Sequence, residues 1–186
     1  KEYILPFGLL TMDKKAISMV VIFLVALGAG YYAGTRNVRG GVSVLFCPED
    51  DCMGQTVKEM DGATSSVHVA VRSITSPEVA RALMEAHQRG VDVRVVIGQE
   101  DHVNPLSQDP ILREAGLRVR YDGNSKGWMN AKFVIVDGRA VITGSPDWTE
   151  EAWRYNDENL LIVSSEETVK AYEKEFDELW SGVYGK

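Results

Sequence analysis

Two short apolar runs, residues 132–136 (KFVIV) and 140–143 (AVIT), are separated by only Asp137-Gly138-Arg139, and no other feature constrains the fold as much. Runs this short and this rich in β-branched residues read as strands. Asp-Gly between them signals a hairpin, because a tight antiparallel turn needs residues that accept positive φ. The upstream half reads differently. Residues 42–46 form a short strand and residues 53–63 a helix. Residues 67–74 alternate as a strand does, with Val67, Val69 and Val71 on one face and His68, Ala70 and Arg72 on the other. Ser76-Pro77-Glu78 begins a helix, with a hydroxyl cap, a proline in the first turn and an acid at the positive end of the dipole. That helix runs to Arg89 and stops at Gly90. Residues 91–97 are a strongly β-branched strand, 110–115 a short helix, and 117–121 and 159–163 further strands. Residues 164–167 fit a capping box. The final helix carries Val169, Tyr172, Phe176, Leu179 and Trp180 on one stripe. Strands that alternate with helices early and pair as a hairpin late predict an α/β fold, a mixed β-sheet flanked by helices on both faces.

Residues 16–34 are a run of 19 without a charge. As a helix the run would be about 28 Å long, close to the roughly 30 Å hydrocarbon core of a bilayer. Lys14 and Lys15 precede it, and Tyr31 and Tyr32 lie at its far end, where interfacial residues belong. It is apolar on every face, unlike a helix packed on a core. The expected organisation is therefore an N-terminal extension (1–37) that contains a transmembrane anchor or secretory signal (16–34), followed by one domain (38–186). The extension would hold that domain at a membrane or export it. Cys47 and Cys52 have no second pair and no nearby histidine to complete a zinc set. A disulfide and two buried thiols both fit them.

The net charge of −7 argues against a general nucleic-acid binder. Its distribution matters more. Residues 147–186 hold eleven acids and four bases, whereas residues 111–132 hold five bases (Arg113, Arg118, Arg120, Lys126, Lys132) and two acids. A local basic surface on an acidic protein is compatible with binding phosphate.

Asn130 and Lys132 are two apart, so on a strand they face one side. Gly144-Ser145 follows the second apolar run, and Glu158-Asn159 begins the strand after it. Polar groups at the ends of neighbouring strands converge on one anion, and a lysine, a hydroxyl and an amide suit a phosphate. Turn residues and edge lysines give the same pattern. Trp128 and Trp148 flank the stretch and would stack on a base, or pack in the core or at the rim. His68, His87 and His102 read as structural.

The spacing of Asn130, Lys132, Asp137, Gly144, Ser145 and Asp147 resembles the phospholipase D superfamily signature H-x-K-x4-D-x6-G-S-x-N, and Glu158 falls where nuclease-type members carry an acid. Phe46-Cys47-Pro48, Cys52, Ser73-Ile-Thr-Ser76 and Arg89-Gly-Val91 add to the likeness, which covers residues 42–163. It is closest in kind to small bacterial and archaeal nucleases and to the cardiolipin hydrolase and Zucchini group. The resemblance implies an α-β-α sandwich, a homodimer with its site at the twofold interface, and a phosphohistidine mechanism without a metal or other cofactor. It implies catalytic roles at positions 130, 132, 137 and 158, and phosphate contacts from Lys132, Ser145, Asp147 and Asn159. DNA or RNA is the expected substrate, with a membrane phospholipid such as cardiolipin as the alternative. Two positions depart from the pattern. Asn130 replaces the nucleophilic histidine. An amide has no basic lone pair, so the chain as written should be nearly inactive. It is either a substituted form of an active enzyme or a natural phosphate-binding pseudoenzyme. Asp147 replaces an asparagine, and its carboxylate would repel phosphate unless it is protonated or paired with Lys132.

Overall fold

A parallel strand pair requires a crossover, and helices that follow strands supply it. The computed structural model describes residues 15–25, 41–124 and 126–183. The chain divides into two compact units, Lys1–Arg39 and Gly40–Lys186. In the first, residues 15–25 form a helix, α1, whose Met19, Ile22 and Phe23 are exposed. The rest of the expected anchor, 26–34, lies outside the described residues. Among the described residues no helix is long and apolar enough to cross a membrane.

The second unit is built on strands β1 (Val42–Cys47), β2 (Ser66–Val71), β3 (Asp92–Ile97), β4 (Arg118–Tyr121), β5 (Lys132–Val136), β6 (Ala140–Gly144) and β7 (Glu158–Val163). They form one sheet in the order β1-β7-β6-β5-β2-β3-β4. The helices are α2 (Cys52–Asp61), α3 (Pro77–Gln88), α4 (Asp109–Glu114), α5 (Glu150–Arg154) and α6 (Glu166–Ser181). β2, β3 and β4 pair in parallel, and the other pairings are antiparallel. The mixed sheet expected from the sequence is present. The hairpin turn takes the form its residues imply, with φ of 53° at Asp137 and 57° at Gly138.

Each face of the sheet has its own core. Val67, Val69, Val71, Val95, Ile97, Val134 and Ile142 pack with Val57, Met60, Val79 and Leu83 of α2 and α3. On the other face, Ala70, Val96, Phe133, Ile135 and Val141 meet Val169, Phe176 and Leu179 of α6. Phe176 is fully buried, a contribution of about 2–3 kcal/mol. α6 lies over β2, β5 and β6 and leaves the β1 end of that face open. Val42, Val44 and Phe46 are therefore 58%, 52% and 59% exposed.

Local details correct the sequence reading. The strand expected over 67–74 ends at Val71, and Ile74 makes only an isolated bridge to Trp148. The cap of α6 is Ser165, which accepts the Thr168 N–H, so the capping box expected at 164–167 gives way to a simple serine cap one residue later. α5 escaped notice because it is five residues long, although Thr149 caps it. Cys47 and Cys52 form a disulfide with Cα atoms 5.9 Å apart.

Candidate functional site

Antiparallel alternation brings the start of β5, the end of β6 and the start of β7 to one end of the sheet, beside the end of β2. Asn130 and Lys132 arrive on β5, Ser145 and Asp147 follow β6, Glu158 opens β7, and Arg72 follows β2. This is also the carboxyl end of the parallel strands, where open α/β sheets bind ligands. Gly144 makes the approach possible, because a Cβ there would lie 2.0 Å from the Asn159 carbonyl oxygen.

Lys132 is the centre of the cluster. Its Nζ donates to Asn130 Oδ1 (2.6 Å) and to the Asn130 carbonyl (3.3 Å). It also lies 3.5 Å from Asp147 Oδ1. Its side chain is only 11% exposed, so the cation is held against the site rather than free in water. Arg72 stands 3.9 Å from the other Asp147 oxygen and donates to Glu100 (3.2 Å). Burial pushes the Asp147 carboxyl above its ordinary range, Lys132 and Arg72 pull it back, and Glu158 adds repulsion; the net effect is a rise. Among the described residues Asp147 Oδ1 is buried without a hydrogen bond.

Ser145 Oγ donates to Glu158 Oε2 and accepts the Asn159 N–H (3.0 Å). Asn156 Nδ2 donates to Glu158 Oε1 (3.3 Å). A carboxylate thus orients a hydroxyl beside a lysine and two amides. Groups of these types have the chemistry to bind a phosphoryl group and to stabilise charge that develops on its oxygens. Among the described residues no group of three His, Cys, Asp or Glu side chains is arranged to hold a metal.

Asn130, Lys132, Ser145, Asp147 and Glu158 come together; Asp137 does not, Trp148 takes the core position that was one of its expected placements, and Asn159 joins through its backbone. Asp137 sits at the far end of β5. Its carboxylate accepts the backbone N–H groups of Thr64, Ser65 and Ser66 and the Thr64 and Ser65 hydroxyls. Burial opposes its charge, but those donors outweigh it and hold the carboxyl far below the usual range. It joins the hairpin turn to β2 and does not reach the phosphate end. Trp148 is 3% exposed, and its carbonyl accepts the Thr75 and Ser76 N–H groups (3.0 and 3.1 Å), so it packs in the core and stacks on no base. Asn159 serves through its backbone, which both donates to Ser145 and accepts the Ser145 N–H (3.0 Å).

The basic stretch is also dispersed. Arg113 pairs with Asp109, Arg118 with Asp92, and Arg120 donates to the Trp180 carbonyl. Only Lys132 enters the site. His68 pairs with Glu173 under α6, and His102 with the Tyr121 hydroxyl, so both are structural. The sequence reading missed Arg72 and Asn156 as site residues. Arg72 had one available signal, a cation directly after a buried strand that neighbours β5. Trp128 is 71% exposed, with the Arg72 guanidinium 4.9 Å from its ring.

Residues 56–180 match the family described as cardiolipin synthase, PLD-like domain. The chain is 42% identical over 137 residues to a mitochondrial cardiolipin hydrolase of Xenopus laevis, covering 72% of this chain and 65% of that protein. It is 37% identical over 131 residues to the mitochondrial cardiolipin hydrolase of Homo sapiens, covering 70% and 52%. The match thus spans about half to two thirds of those relatives. Among solved structures, NucT from Helicobacter pylori superposes with a TM-score of 0.73 at 26% identity, over 80% of this chain and 100% of that one. The phospholipase D family member Nuc from Salmonella typhimurium gives 0.72 at 26% identity, over 77% and 96%.

Proposed function

The chain belongs to the phospholipase D superfamily, and from that premise we propose that it is a nuclease-type phosphodiesterase for DNA or RNA whose turnover is arrested at Asn130. The observation that carries this reading is the exposed Trp128 ring with Arg72 against it, next to the Lys132 cluster. A base stacks on an aromatic ring while its phosphate meets cations and hydroxyls. Lys132 and Ser145 hold the nonbridging oxygens. With histidine at position 130, an imidazole nitrogen attacks phosphorus, a P–N bond forms and the P–O ester bond breaks. The matching histidine of a second copy protonates the leaving oxygen and then takes a proton from the water that hydrolyses the P–N bond. No step calls for a metal.

The second copy has a surface to dock on. Val42, Val44 and Phe46 lie in register with Val163, Leu161 and Asn159, which makes an apolar strip that ends beside Ser145 and Glu158. A twofold dimer that covers the strip brings two sites together. Phe46→Glu is expected to convert a dimer to a monomer in light scattering; an unchanged mass would remove this interface.

The Asn130→His protein, assayed with EDTA on single- and double-stranded DNA and RNA, tests the activity. Cleavage supports the proposal, and a folded revertant that cuts none of them sinks it. The names of the curated relatives favour a second reading, hydrolysis of cardiolipin or a similar phospholipid, with residues 16–34 as the membrane anchor or export signal. Lipid turnover by the same revertant without nucleic-acid turnover selects it.

A further inference from the structure

Beside the phosphate cluster lies a cavity of about 580 Å³ that the chemistry at Lys132 does not use. Its volume is that of an ordinary small-ligand pocket. Trp128, Met129, Asn130 and Ala131 form one wall, Asp122 and Asn124 a second, and Lys174, Glu175, Glu178 and Leu179 of α6 a third. Asn130 belongs to both compartments, since its side-chain oxygen accepts from Lys132. A phosphodiester held at Lys132 therefore has one ester substituent at the cavity mouth.

The lining excludes a second phosphate. Three carboxylates face one ammonium, and Lys174 Nζ is already 3.6 Å from Glu178. Asp122 is 2% exposed, and among the described residues its carboxylate accepts only the Asn124 N–H (3.1 Å). Carboxylates accept hydrogen bonds and donate none. The cavity therefore selects a group with several adjacent donors and a flat apolar face for Trp128. Among nucleobases only guanine presents two neighbouring donors, N1–H and the N2 amine, which match the two oxygens of one carboxylate. Adenine and cytosine set a ring-nitrogen lone pair beside their amine, and uracil flanks its single N–H with two carbonyls. Each would press a lone pair against a carboxylate.

We propose that this cavity is a base-selective subsite that takes an unstacked guanine next to the phosphate bound at Lys132, stacked on Trp128 and hydrogen-bonded to a carboxylate of Asp122, Glu175 or Glu178. The inference rests on the nucleic-acid reading above. It adds base selection to a site that otherwise reads only the backbone.

The Asn130 chain binds without turnover, so affinity can be measured directly. Calorimetry would compare GpU, ApU, CpU and UpU, the inosine analogue IpU, and dimethyl phosphate. GpU is expected to bind roughly tenfold tighter than the other three natural dinucleotides, the usual size of a bidentate base contact. IpU, which lacks the N2 amine, should fall between. The double variant Glu175→Gln with Glu178→Gln, on the exposed side of α6, should reduce the preference for guanine, while dimethyl phosphate binding stays unchanged. Equal binding of all four dinucleotides overturns the inference and leaves the nuclease reading standing. Tighter binding of glycerophosphoethanolamine than of GpU also overturns it and assigns the cavity to a cationic headgroup. The nuclease reading fails separately, by an inactive Asn130→His protein.

Discussion

The two ends of β5 lie one short strand apart and obey opposite rules. At the Asp137 end every carboxylate lone pair finds a donor, and the charge is held by three backbone amides and two hydroxyls. At the Lys132 end Asp147 keeps a buried oxygen with no hydrogen bond among the described residues, and burial raises its pKa despite two nearby cations. One end is closed and stabilising. The other keeps a buried polar atom unpaired among the described residues. The same motif supplies both, so its letters do not share one role.

The largest expected effect sharpens the contrast at the open end. Asn130→His should raise phosphodiester turnover by on the order of 10³-fold or more, because nucleophile and acid return together in a dimer. In that background Lys132→Met should lower turnover by about 10²–10³-fold while shifting unfolding by less than about 1 kcal/mol. Rates on a model phosphodiester alongside urea melts test both. Asp137→Ala should behave in the reverse way. It should cost about 3 kcal/mol of stability, since charge-assisted hydrogen bonds are worth about 1.5–3 kcal/mol each and are not additive, while turnover per folded molecule holds. If Asp137→Ala abolishes turnover without loss of stability, the division between the two ends is wrong.

The pH dependence should carry opposite signs. Asp137 has a depressed pKa in the fold, so its stabilisation is present above the unfolded value of 3.8 and is lost as the pH falls below it. Asp147 has a raised pKa, so the native state binds more protons just above 3.8 and stability falls as the pH rises through that range. The smallest effect follows: Asp147→Asn should be more stable than the parent at pH 7 by about 1 kcal/mol. The gain should vanish below pH 3.8, where both carboxyl forms are neutral. Unfolding curves from pH 3 to 7 would show it, and a gain that persists in acid would contradict the burial argument.

Local chemistry was legible in the sequence wherever one stretch carried its own reason. The hairpin at 137–139, the helix start at Ser76-Pro77 and the stripe on α6 are each decided by a few adjacent residues, and all appear in the fold. Asn130, Lys132, Ser145 and Glu158 were found through fixed spacing. The roles of Asp137 and Asn159 were not legible, because spacing fixes position along a strand and says nothing of what waits at its end.

The sequence by itself determined the alternation of strands and helices, the turn, and a spacing of polar side chains whose chemistry suits a phosphate, with an amide where the family signature has histidine. Periodicity and turn chemistry are local, and they survive without knowledge of partners. Only the tertiary structure decided that Lys132 and Asp137, some 17 Å apart on an extended chain, serve different ends of the sheet. It also decided that Arg72 joins the site from β2, and that Arg113, Arg118 and Arg120 are spent on ion pairs or backbone contacts elsewhere. Those outcomes depend on which strands lie side by side, and strand pairing is settled by burial across the whole sheet rather than by any one segment.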